Sequence, residues 1–447
     1  MSERASFATR MGAIAATVGS AVGLGNIWRF PYEAGENGGG AFILVYILCV
    51  ALLGVPVILA EFIIGRSTHK NMKGALQELS PNSRFYLFTY VCILGSLLIL
   101  SFYSVVCGWV ADYLFEAAIG NLSGHTQQEY SAIFANFVGN PWSSVLWTVL
   151  FLLLNFYVMG RGLRGGVERV SAVMMPLLFL LLVIFCINSL MLPEARKGLE
   201  FLFAPDFSSL TWKGVVDAFG QAFMSLTLGI SGLVTYSSYF SDKTSLARDA
   251  GTVAVLDTLV AILSGVMIFP AVFSYGVEPE AGPKLIFEIL PSIFDQMPGG
   301  YLWAVLFFLL VFFASITSTM SLTEISVTFL TDEHHLGRRT ATWVTAIFVF
   351  VFAILSALSF NVLADFKLFG MNIFDFLNYI GSNVFMLLGG LFTALYVGWF
   401  LDRKVVHDQL TNRGTLSTHV EHYTLLCLRF VAPVAVILIF CYYVGIL

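Results

Sequence analysis

The sequence predicts an all-α integral membrane protein of about eleven transmembrane helices. Three observations carry this. Only 11% of the residues are charged against 58% hydrophobic, whereas a soluble domain keeps about a quarter of its residues charged to cover its surface. Apolar runs of about 20 residues, the thickness of a bilayer's hydrocarbon core, recur along the whole chain. Two of these runs, five apart, are interrupted by clusters of Gly and Ser.

The first run, 10–34, lacks the small-residue cleavage site that ends a signal peptide, so it reads as a retained helix. Further runs cover approximately 40–66, 85–116, 142–160, 165–190, 212–240, 246–276, 300–331, 338–359, 371–400 and 418–446. Several exceed the minimal crossing length, so tilt or extension beyond the membrane is expected. Loops are expected to be short, and no linker or soluble domain is evident. The chain reads as one membrane domain, 1–447, with spans 1–5 (about 10–190) and 6–10 (about 212–400) as two repeats and an additional helix at about 418–446.

Basic residues set the expected orientation. With a cytoplasmic N-terminus, sixteen of the 23 Lys and Arg face the inside, six face the outside, and Arg429 lies within the last span. The positive-inside rule favours that topology, and an odd number of spans puts Leu447 outside. A multi-pass protein of the cell membrane is expected, with the lipid bilayer as its surroundings. The net charge of −5 comes with no basic stripe that would suggest nucleic acid, and no obligate protein partner is evident. All six cysteines fall in apolar segments without a Cys-x-x-Cys; they read as packing residues rather than a disulfide framework or metal site.

The interruptions are Gly19-Ser20-Ala21-Val22-Gly23-Leu24-Gly25-Asn26 in span 1 and Ser225-Leu226-Thr227-Leu228-Gly229-Ile230-Ser231-Gly232 in span 6. Each glycine weakens a helix by about 1 kcal/mol relative to alanine. In lipid, an unwound stretch is tolerated only where it lines a cavity or binds something. Broken helices in corresponding positions of two repeats point to a transporter's binding site. Small residues also permit close helix packing, but Asn26, Arg29 and Glu61 near by add polar groups that are costly at membrane depth.

The stretch GSAVGLGNIWRFPYEAGENGGG, 19–40, closely resembles the first-helix signature of the neurotransmitter:sodium symporter family, which has the leucine-transporter fold. AEFIIGR at 60–66, the Gln221–Tyr239 stretch, FFASITS at 312–318 and Phe374-Asp375-Phe376 extend the resemblance in order through spans 1–10. It implies a 5+5 inverted repeat with helices 1 and 6 broken, and sodium-coupled symport of a small amino acid. It implies two sodium sites and no organic cofactor. The first sodium site would use the Ala21 carbonyl, Asn26, Ser225 and Asp257, with the substrate carboxylate completing it. The second would use the carbonyls of Gly19, Val22 and Ala314 with the hydroxyls of Thr317 and Ser318. Such hard oxygen ligands suit a dehydrated alkali cation.

By the same resemblance, Gly23 leaves room for the substrate's carboxylate, which the amides near Leu24 and Gly25 and the Tyr103 hydroxyl would bind. Ala21 and Ser225 border this pocket. The substrate side chain would face Ile99, Tyr103, Met224, Thr227, Ile230, Ser318 and Leu322. These are predominantly apolar positions, so a neutral hydrophobic L-amino acid is expected, with a lean towards large aliphatic or aromatic side chains. Arg29 and Asp375 would form an outer gate with Gln221 near by. Arg4 and Asp332 would form an inner gate, with Tyr239 stacked on the arginine. Glu61 would accept amide hydrogens freed by the break in span 6. Gly166 and Pro176, with nine residues between them, match a pattern that lets span 5 unwind. Tyr46, Gln221 and Ser225 match three positions of the anion site in chloride-dependent relatives. Ala261 cannot donate there, and Asp257 replaces a neutral residue, so chloride independence is expected.

Three other readings were weighed. A channel needs a repeated ring or filter motif, and none is present. An intramembrane enzyme lacks a His-Glu-x-x-His or Gly-x-Ser-x-Gly, and Asp332-Glu333-His334-His335 reads as a solvated helix end. A non-transporting amino-acid sensor on the same fold is the remaining alternative.

Overall fold

The computed structural model describes residues 6–276, 285–416 and 420–446. Among these, secondary structure is helical, with two isolated β-bridges and no strand. Nine helices are long and apolar enough to cross a membrane, and the bent pair Arg10–Ala21 and Gly25–Glu36 makes ten. They follow the expected runs: Gly40–Thr68, Phe85–Ala118, Pro141–Gly160, Leu163–Leu190, Leu246–Ser274, Gly300–His334, Arg338–Leu358, Ile373–Phe400 and Val420–Tyr443. The run at 212–240 divides into Trp212–Ser225 and Gly232–Ser237, and neither half reaches crossing length alone.

Local chemistry sets the helix ends. Proline, whose missing N–H costs nothing in a first turn, opens span 4 at Pro141, whereas Pro56 and Pro433 lie inside their spans, each just after a π-helical turn. Asn140 caps span 4 by accepting from the amides of Trp142 and Ser143. Span 8 has 35 residues, about 52 Å at 1.5 Å per residue, so it extends past the hydrocarbon core. It packs along span 3 (Phe85–Ala118) and against span 5 (Leu163–Leu190) and the first half of span 1. Spans 3 and 8 therefore make a frame around the broken helices.

Several connections expected as short loops carry short helices instead: Met72–Leu79, Gln127–Gly139, Ala195–Phe203 and Arg403–Thr411. Gln127–Gly139 has structural work on one side of the frame. Its Phe134 stacks on Phe287 at 5.0 Å, and both meet Trp109 of span 3 edge-on. Trp109 also stacks on Phe374 at the start of span 10. This aromatic cluster ties the 127–139 helix, span 3 and the start of span 10 together at one end of the bundle.

Candidate functional site

Span 1 leaves helical geometry at Val22, which has φ −69° and ψ 112°, and resumes at Gly25 after a bend of 51°. Span 6 breaks differently. Thr227, Gly229 and Ser231 all have positive φ, at 54°, 83° and 62°. A β-branched residue at positive φ is strongly disfavoured, so this conformation is held by its surroundings. Thr227 Oγ1 donates to the Ser20 carbonyl at 2.9 Å, tying one break to the other. The Gly229 amide donates to buried Glu61 Oε1 at 2.7 Å. A side chain at Gly229 would also run into the backbone of span 10 at Gly389, 3.1 Å away.

The breaks assemble two oxygen clusters. In the first, Asn26, Ser225 and Asp257 are at most 1% exposed. Asn26 Nδ2 donates to Ser225 Oγ at 2.8 Å and Asp257 Oδ1 at 2.7 Å, with the Asp257 carbonyl at 3.1 Å. Asn26 Oδ1 accepts from the Gly23 amide at 3.0 Å. Ser225 and Tyr46 hydroxyls both donate to Asp257 Oδ2, at 2.6 and 3.3 Å. Oxygens of Ser225 and Asp257 thus converge on the Asn26 amide nitrogen; with the amide turned over to present Oδ1, the donor set would be all oxygen with a single carboxylate and no thiolate or imidazole, which fits an alkali cation better than a transition metal. Among the described residues no group of three or more His, Cys, Asp or Glu could hold a metal ion.

The second cluster lies between spans 1 and 8. Ser318 Oγ donates to the Val22 carbonyl at 3.2 Å. Thr317 Oγ1 donates to the carbonyls of Phe313 and Ala314 at 3.0 and 3.1 Å, the back-bond of a buried helical threonine. Its Cβ lies 3.2 Å from where a Gly19 side chain would begin. Hydroxyls and carbonyls of the predicted second site therefore share one small volume.

A cavity of about 60 Å³ lies between the clusters. Ala21, Gly23, Gly25, Ile99, Tyr103, Met224, Thr227, Ile230, Ser318 and Leu322 line it, as do Ser20, Ser382 and Met386. Ser20 belongs to the broken stretch of span 1 but was not among the expected lining residues; nothing in the sequence tells which face of span 10 turns Ser382 and Met386 inward. Leu24 and Ser225 are not in the wall. Leu24 contributes its amide, which donates to the Tyr103 hydroxyl at 3.1 Å, and Ser225 belongs to the first cluster. A side chain at position 23 would begin 3.1 Å from that hydroxyl. Gln221 Nε2 donates to the Gly25 carbonyl at 2.8 Å.

The outer gate differs from the expected pair, and the inner one lies partly outside the described residues. Arg29 binds Glu33 at 3.1 Å and touches Met224 Sδ, while Asp375 is exposed. The structure does not bring Arg29 and Asp375 together. Arg4 lies outside the described residues. Asp332 accepts from Asn71 at 3.1 Å. Tyr239 Oη donates to Glu324 Oε1 at 2.9 Å, and Arg338 holds the same carboxylate through two nitrogens at 3.0 and 2.6 Å. Glu324 is fully buried. An acid inside an apolar run needs a partner, and that signal was available for Glu324 and Arg338. Glu168, also unforeseen, accepts from the amides of Ala8 and Thr9 at 2.9 and 3.1 Å. It lies in a π-helical turn, Leu163–Glu168, that contains Gly166, and Pro176 is inside the following helix.

The chain is similar in sequence and structure to known transporters. The Sodium:neurotransmitter symporter family profile matches residues 4–133 and 136–446. An uncharacterized sodium-dependent transporter, YhdH, of Bacillus subtilis is 39% identical over 99% of this chain and 98% of its own length. A Haemophilus influenzae protein of the same description is 33% identical over 98% of both. The crystal structure of MhsT in complex with L-phenylalanine superposes with a TM-score of 0.90 at 39% identity, covering 98% of this chain and 99% of that one. With broken first and sixth helices around a common cavity, this multi-pass membrane chain belongs to the sodium:neurotransmitter symporter family.

Proposed function

We propose that the protein carries a neutral, hydrophobic L-amino acid into the cell by sodium-coupled symport through alternating access. The observation that carries this is the cavity at the two breaks: apolar on most sides, with an amide-rich end opened by Gly23, and flanked by two oxygen clusters. The substrate carboxylate would replace the bond between the Leu24 amide and the Tyr103 hydroxyl and accept from both groups. Its side chain would lie among Ile99, Met224, Ile230 and Leu322. One sodium ion would be taken up by Asn26, Ser225 and Asp257 with the Ala21 carbonyl, and a second by Gly19, Val22, Ala314, Thr317 and Ser318. Symport follows if the substrate's charge completes the first ion's shell, since each then raises the other's affinity.

The aromatic or large aliphatic preference draws support from the phenylalanine bound to MhsT and from Met224 and Ile230, which adapt to shape. The Arg29–Asp375 and Arg4–Asp332 pairs belong to this proposal as outer and inner gates, the outer one closing in another state of the cycle. The N-terminus faces the cytoplasm and Leu447 the outside of the cell membrane.

The test is uptake into reconstituted vesicles under an inward sodium gradient, with competition by the twenty amino acids. Phenylalanine, tryptophan, leucine or methionine should compete best, and Asn26→Ala and Thr317→Ala should largely abolish uptake. Equal uptake in potassium defeats the sodium coupling. Sodium-dependent binding without accumulation makes the protein a sensor rather than a carrier.

A further inference from the structure

Arg429 has no part in the transport site, yet it lies well inside the apolar run of span 11, Val420–Tyr443. A charge at that depth is costly and calls for partners. Two π-helical turns, Tyr396–Phe400 of span 10 and Cys427–Val431 of span 11, supply some. Arg429 Nε donates to the Gly398 carbonyl at 2.5 Å, and the guanidinium lies 5.4 Å from the centre of the Trp399 ring. Trp399 Nε1 in turn donates to the Arg429 carbonyl at 3.3 Å.

These contacts leave most of the five guanidinium N–H groups unused. Arg429 lines a cavity of about 490 Å³ with Arg403, Glu421 and His422. Glu421 is its only carboxylate, and that group binds His407 Nδ1 at 2.7 Å. Among the described residues, neither Arg403 nor Arg429 forms an ion pair. The cavity therefore presents two guanidinium groups to one carboxylate that is already engaged. Trp399 and Phe430 are 54% and 57% exposed at its rim, as suits the membrane–water boundary. From Phe430 an exposed apolar stripe continues through Val434 and Ile437.

We propose that this cavity binds the phosphate head group of an anionic membrane lipid, with one acyl chain lying along the stripe. A guanidinium pair suits phosphate oxygens, and basic pockets between helices at the cytoplasmic boundary accept such head groups. The polar lining argues against a second copy of this chain, and the continuous stripe argues against a free anion.

The experiment is native mass spectrometry of the purified full-length protein in detergent, with phosphatidylglycerol, phosphatidylcholine or inorganic phosphate added. Phosphatidylglycerol should be retained over phosphatidylcholine, and Arg429→Gln and Arg403→Gln should each weaken that preference roughly fivefold. Arg403 is exposed, so its variant tests the site without disturbing the helix packing. Thermal unfolding with each addition gives a second readout, and only phosphatidylglycerol should raise the midpoint of the wild type. Equal retention of both lipids, or a preference unaltered in both variants, overturns the proposal. Stabilisation by phosphate alone would mean a free-anion site instead. A dimer that dissociates on Arg429→Gln would mean a subunit interface instead.

Discussion

At the scale of single residues, Asp257 carries the most chemistry. Its carboxylate is buried among Asn26, Ser225 and Tyr46, which all donate to it. On the proposed reading it would supply, when ionised, the negative charge that a chloride ion brings in chloride-dependent relatives, and Ala261 would offer no donor to such an ion. Uptake should therefore be the same in gluconate and in chloride. Asp257→Asn keeps the shape and loses the charge, so the sodium concentration for half-maximal substrate binding should rise about tenfold, a loss in the range of one charge-assisted contact. Combined with Ala261→Ser, the variant should regain function only in chloride; wild-type uptake that stops without chloride sinks the idea. Gly23→Ala should weaken substrate binding by a similar factor, because its methyl group would press on the Tyr103 and Ser318 hydroxyls. An alanine variant that binds substrate as the wild type does would show that position 23 is not in the pocket. The spacing of glycines made Gly23 visible in sequence. Ser382 and Met386 were invisible because a serine or methionine in an apolar helix has nothing to mark its face.

At the scale of elements, span 5 is the one whose motion the structure makes testable. Its first turn is π-helical, contains Gly166, and through Glu168 holds the amides of Ala8 and Thr9. Pro176 further along offers no amide to the turn before it. Sodium release should loosen this stretch. Amide exchange at 163–172 should be faster in sodium-free protein than with sodium and substrate, and Glu168→Gln should bring the saturated protein towards the faster rate. Identical exchange in both conditions speaks for a static kink. Span 6 should be less forgiving than span 5. Gly229→Ala adds a side chain at φ 83° against the backbone of Gly389. Strain of that kind costs roughly 1–3 kcal/mol, which a lowered unfolding temperature in detergent would register.

At the scale of the whole molecule, most spans were legible because lipid tolerates nothing but long apolar helices, so runs such as 85–116 and 246–276 announce themselves. Span 6 fell short because its halves are too brief to pass alone. Helix Gln127–Gly139 escaped notice because its single turns of polar and aromatic residues resemble a loop until Phe134 meets Phe287. The outer gate was least legible, since sequence does not say which of two nearby carboxylates an arginine holds: Arg29 pairs with Glu33, one turn along its own helix, and not with Asp375. The topology deserves its own test. A cysteine placed at exposed Ser208 should react with an impermeant maleimide in intact cells, and one at Lys404 only after permeabilisation. The reverse pattern overturns the orientation. The three left-handed residues at 227, 229 and 231 have a mechanical consequence. With Thr227 and Ser231 at positive φ around Gly229, the two halves of span 6 do not form one continuous rod across the membrane in this conformation. The break is joined to its neighbours by Thr227 to the Ser20 carbonyl and by the Gly229 amide to Glu61. In the proposed transport cycle those two short linkages would be where a movement of span 6 reaches spans 1 and 2.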